Sequence, residues 1–144
     1  MILNAKDASV KKVIRELTGE VLGPLDKLKC QGAKSPLLIM SNLSSQFLNV
    51  VNGDVKECFG EVFIRKRGVV ISFTVNGISQ IWIIPFWRLA VIKTAKDIYS
   101  IHANGLKLWV RPKSPSDSKR LNLFMNKVLD FKLESCGGPD LNLS

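Results

Sequence analysis

Three groups of residues in this 144-residue chain have side chains suited to specific chemistry. The first is His102, the single histidine. A lone imidazole could act as a base beside Asp97 or Cys58, but it rules out His-rich metal clusters and mechanisms that need two imidazoles. No spacing pairs it with either residue. It lies two residues before an Asn-Gly turn, where a strand histidine with a hydrogen-bond partner is the simpler expectation. The second group is Arg65-Lys66-Arg67, followed by Gly68. Three consecutive cations at a hairpin tip cannot all be neutralised locally, because only Glu61 is near in sequence. Such a turn can hold a phosphate through side chains and backbone N–H groups, or it can serve as a soluble turn that guards sheet edges. The third group is Trp82, Trp87 and Trp109. Basic strands carrying aromatics can stack bases, and the same rings can equally be core.

Other chemistries lack their residues. No run approaches the Gly-Lys-Ser/Thr phosphate loop, and Gly137-Gly138 has no strand before it and no helix after it. The chain has no Cys-x-x-Cys and no His-x-x-x-His, and its twelve carboxylates are scattered, mostly beside Lys or Arg. Cys30, Cys58 and Cys136 are odd in number and widely spaced, which argues against a disulfide framework or a structural zinc. Cys58 reads as a small buried residue. The expectation is a non-enzymatic protein with no catalytic residue, metal or cofactor.

The net charge of +9 is unevenly placed. Residues 61–132 contain thirteen Lys/Arg and four Asp/Glu, so this part alone carries +9. A field of that kind attracts an acidic protein partner, an anionic lipid or phosphate headgroup, or nucleic acid. The first residues hold no apolar core of signal-peptide length, so the expected compartment is the cytoplasm. Arg67 to Arg88 is free of charge over a length that could span a bilayer. It is interrupted by Asn76-Gly77, Gln80 and Pro85, which suits two strands and a turn better than a lipid-facing helix. No transmembrane segment is expected.

These residues need elements to position them. Val10, Val13, Ile14 and Leu17 share one face of a helix over 6–18, capped by Asp7 or Ser9 and stopped by Gly19. Leu25 to Lys34 reads as a connector and Leu37–Met40 as a short strand. Residues 43–51 fit helix or strand equally, and Asn52-Gly53-Asp54 is a turn. Strands follow at 62–64, 69–75 and 78–84, the last two joined by Asn76-Gly77. Gln80, Trp82 and Ile84 fall on one face of that last strand, and Pro85 ends it. A strand over 89–92, a turn over 93–97 and a hairpin of 98–102 with 106–111 around Asn104-Gly105 complete six strands from Glu61. Ser114-Pro115 then starts a helix with Leu121, Phe124, Met125, Val128 and Lys132 on its inward face.

A strand meander closed by one C-terminal helix resembles the pleckstrin-homology-like superfold. The order of elements from Glu61 to Lys132 matches its layout. The segments Trp82-Ile83-Ile84-Pro85-Phe86-Trp87-Arg88-Leu89 and Ser100-Ile101-His102-Ala103-Asn104-Gly105 look like small bacterial proteins of this type. The resemblance implies a binding module. It places Arg65, Lys66 and Arg67 where lipid-binding members hold an inositol phosphate, provided that Val62–Ile64 is the first strand. It also requires a seventh strand, which 37–51 would have to supply.

The combined expectation is one α+β domain over 1–132. It has an N-terminal helix, a strongly bent antiparallel sheet or partial barrel of about seven strands, and a C-terminal amphipathic helix, with 133–144 as a disordered tail. The expected function is a binding or adaptor module that recognises a protein partner or an anionic headgroup through its basic face. The alternatives are a single-stranded nucleic-acid binder using Trp82, Trp87 or Trp109, and a small enzyme using His102.

Overall fold

The computed structural model describes residues 2–4, 9–23, 33–41, 43, 58–75 and 77–135. The expected connector over 25–32, the undecided segment 44–51 and the turn at 52–54 lie outside these.

The architecture is α+β. A short helix, α1 (Val10–Thr18), and a C-terminal helix, α2 (Ser118–Ser135), pack on one antiparallel sheet. Its strands are β1 (Ile2–Asn4), β2 (Leu38–Ser41), β3 (Cys58–Arg65), β4 (Gly68–Val75), β5 (Ile78–Pro85), β6 (Ala90–Ala95), β7 (Ile98–Ala103) and β8 (Leu106–Pro112). The spatial order is β1-β5-β4-β3-β2-β8-β7-β6. Seven strands run from β5 to β6, and three-residue β1 adds an eighth at one edge. The sheet is not closed, because β1 and β6 are its two ends and do not pair.

Alternation along the strands separates two faces. The inner face carries Val62, Ile64, Ile71, Phe73, Trp82, Ile84, Ile101, Leu108 and Val110, all buried in one core with Leu121, Phe124, Met125 and Val128 of α2. Tyr99 also faces inward, and its hydroxyl donates to Asn122 Oδ1 on the helix. Leu22, Leu38 and Met40 belong to the same core, so the N-terminal part is not a separate arm. On the outer face α1 covers β4 and β5, which buries Val70 and Ile83.

Most expected elements stand where the periodicity put them, including the seventh strand, supplied by Leu38–Ser41. Some details differ, among them β3, which starts at Cys58 and not at Val62. Strand β1 was not foreseen, since three residues show no period; it exists because β5 pairs it through Ile2–Trp82 and Leu3–Ile81. Strand β6 runs to Ala95, and the turn shrinks to Lys96-Asp97, with Asp97 at φ 65°. A bulge between Lys93 and Ala95 lets that polar stretch stay paired to β7. Pro115 opens a 3₁₀ turn, and the α-helix proper begins at Ser118, whose hydroxyl donates to Asp97. Finally, α2 includes Leu133 to Ser135, which the expected tail had claimed.

Candidate functional site

The basic turn between β3 and β4 is clamped to the end of α1. Arg65 donates from Nε (2.9 Å) and Nη2 (2.7 Å) to the carbonyl of Gly19, the residue that terminates the helix. A guanidinium fork on a helix C-terminal carbonyl gains both hydrogen bonding and the favourable end of the helix dipole. The backbone N–H groups of Arg67 and Lys66 donate to the carbonyls of Thr18 (2.8 Å) and Glu20 (3.1 Å). Arg67 lies across Gly19, where a Cβ would come within 2.9 Å of its Nε. The Arg65 guanidinium and the Lys66 and Arg67 amides are therefore engaged by the protein's own backbone, while the Lys66 and Arg67 side chains stay exposed. Burial pushes the Arg65 pKa down, Glu20 pulls it up, and Arg15 adds to the downward shift. The positional premise also fails. Val62–Ile64 lie in β3, and β2 stands ahead of it in the meander. The turn also borders a mainly apolar cleft of about 440 Å³ lined by Ile14, Val21, Phe63, Val70 and Ile81, with Arg65 at its wall.

His102 is half-buried on the outer face of β7, with Nε2 2.5 Å from Ser100 Oγ. Neither anticipated partner is beside it. Asp97 accepts from Ser118, and Cys58 lies in the core on the inner face of β3. Burial pushes the Cys58 thiol from its ordinary 9.0 up to about 11. Because the folded pKa is the higher one, this group's contribution to stability is complete below about pH 9 and is lost as pH rises from about 9 to about 11. In a Cys30→Ser/Cys136→Ser variant at pH 8, iodoacetamide should leave folded Cys58 unmodified for hours and alkylate it within minutes in urea. Equal rates in both states would show that the thiol is not shielded.

The tryptophans separate cleanly. Trp82 is fully buried on the inner face, so its ring has no side for a base. Trp87, in a 3₁₀ turn after Pro85, is 66% exposed, and its ring is covered by the Arg88 guanidinium at 4.3 Å. Trp109 is half-buried on the outer face of β8. Among the described residues no cation and no other ring lies over it.

Trp109 is the centre of a group that the sequence reading did not assemble. Alternation on β8 puts Lys107, Trp109 and Arg111 on one face, and Lys113 continues the row. Ser100 of β7 and Ser41 of β2 stand opposite Trp109, and Ile39 stands opposite Arg111. Lys113 Nζ sits 5.0 Å over the Phe59 ring, which extends the face onto β3. Strands β2, β6, β7 and β8 contain no carboxylate. Glu61, the acid within β3, is paired with Lys34 at 3.1 Å. Among the described residues no carboxylate reaches Arg111 or Lys113. The Lys-x-Trp-x-Arg-x-Lys spacing over 107–113 was the available signal, since on a strand it can only mean one face.

Comparison of the chain with protein-family models, curated proteins and solved structures returned no match. Function therefore has to be read from the site itself. No helix of the described residues is long and apolar enough to cross a membrane.

Proposed function

We propose that the chain is a non-enzymatic binding module that takes an anionic partner on the outer face of β2, β8 and β7. One observation carries this reading: Lys107 and Arg111 flank Trp109 in a row along β8 that Lys113 continues, and β2, β7 and β8 hold no acid. A patch of one sign concentrates its counterpart and speeds encounter, most strongly at low salt. The Arg65–Arg67 turn is a weaker candidate, because the Arg65 guanidinium and two of its amides already have partners. A pleckstrin-homology-like relationship remains part of the proposal. It is supported by the order β5-β4-β3-β2-β8-β7-β6 followed by a C-terminal helix.

The test is binding to anionic vesicles, polyglutamate and oligonucleotide near 50 mM salt. A Lys107→Glu/Arg111→Glu/Lys113→Glu variant should lose about a hundredfold or more in affinity for whichever probe binds the parent protein, because three contacts change sign. Lys66→Ala/Arg67→Ala should change affinity by less than about threefold, as exposed peripheral charges do. An unchanged affinity in the triple variant would move the binding surface off this face.

A further inference from the structure

Resting on that reading, we infer that the anionic partner is a single strand of nucleic acid, with one base stacked on Trp109 and its neighbouring phosphates held by Lys107, Arg111 and Lys113. The cations account for an anion of any class. The ring is what discriminates. An indole that lies among small polar neighbours, Ser41 and Ser100, with no cation or ring over it among the described residues, is a platform for a flat aromatic group. Acidic peptides bring charge without a flat ring in each unit. A membrane surface calls for apolar side chains that stand proud of the cations. The protruding ones here, Ile92 (53% exposed) and Leu37 (42%), sit to either side of the stripe, not along it. A duplex hides its base faces within the stack, so the strand must be single. Alternate side chains on a strand are about 6.8 Å apart, and an extended nucleotide chain can follow such a row at one unit per pair of residues. Sequence tolerance follows, since every base offers a stacking face.

The experiment uses the full chain and a twelve-nucleotide single-stranded oligonucleotide, with anionic vesicles and polyglutamate as competing probes. The oligonucleotide should bind at least tenfold more tightly than the other two and quench tryptophan emission. The quench should survive Trp87→Phe and vanish in Trp109→Phe, which keeps an aromatic face and most of the affinity. Trp109→Leu should weaken binding about tenfold or more, the size of a lost stacking contact. About three phosphate contacts should give a log–log salt slope near −2. Circular dichroism spectra matching the parent protein's identify the variants that remain folded. If Trp109→Leu keeps parental affinity while the triple Glu variant loses it, stacking is wrong and the charged face stands. If vesicles or polyglutamate bind as tightly as the oligonucleotide, the partner is wrong and the face still stands. If no probe binds, both proposals fall.

Discussion

Gly60→Ala should destabilise the fold by about 3 kcal/mol, at the upper end of what overpacking costs. Gly60 lies on the inner face of β3 between β2 and β4, opposite Leu38 and Phe73. A Cβ there would stand 2.3 Å from the Ser72 carbonyl oxygen, 2.7 Å from Phe73 Cβ and 2.8 Å from Met40 Cε. The methionine tip can swing away, but the carbonyl is part of the ladder and can retreat only if β4 separates from β3. A backbone clash of this kind has no rotamer solution. Offsetting it is the smaller entropy of alanine in the unfolded chain, only about 0.4–1 kcal/mol. A domain of this size has roughly 5–15 kcal/mol in total, so the loss is large but survivable. Urea unfolding should show a lower midpoint at an unchanged slope. A variant within about 0.5 kcal/mol of the parent protein would mean that the two strands part easily at this point.

Arg65→Ala should destabilise by about 2 kcal/mol, the range for hydrogen bonds made by a charged group. The loss is local in origin. It leaves the Gly19 carbonyl without its fork and loosens α1 from β4 and β5. Arg65→Lys keeps the charge but cannot reproduce two parallel N–H donors, so it should recover less than half of the difference. Amide exchange within α1, and at Lys66 and Arg67, should accelerate more than exchange in β7 and β8. Affinity for anions, measured per folded molecule, should stay within about twofold, because this guanidinium's fork is held by the Gly19 carbonyl. A tenfold loss of affinity with unchanged stability would restore the turn as a binding site.

Both predictions turn on features that were unevenly visible in the chain. Strands β4, β5, β7 and β8 were legible as short runs rich in β-branched and aromatic residues, and because Asn-Gly dipeptides mark two of the turns. Leu38–Ser41 was legible only as a short apolar run; its partners, 20 and 70 residues downstream, decide that it is a strand. Strand β1 left no trace, since pairing alone makes it. The basic turn drew attention as a cluster in sequence, yet its role depends on a helix end 46 residues upstream that no local pattern announces. The stripe on β8 was the reverse case. Its four side chains are dispersed in sequence by intervening core residues, and only assignment of the strand gathers them.

The order of the sheet has a kinetic consequence. β3-β4-β5 and β6-β7-β8 are each made of hairpins between neighbours in the chain, so each triplet closes short loops and can form early. Within the sheet they meet through β2, four residues long, which holds β3 at Leu38 and Ile39 and β8 from Leu38 to Ser41. Docking that strand requires ends far apart in sequence to meet, and the loop-closure entropy falls on a small number of ladder bonds. The slow step of folding should thus be the stitching of two preformed meanders along β2. The same seam is where the native sheet should first come apart, and β8, which carries the basic stripe, is one of its two sides.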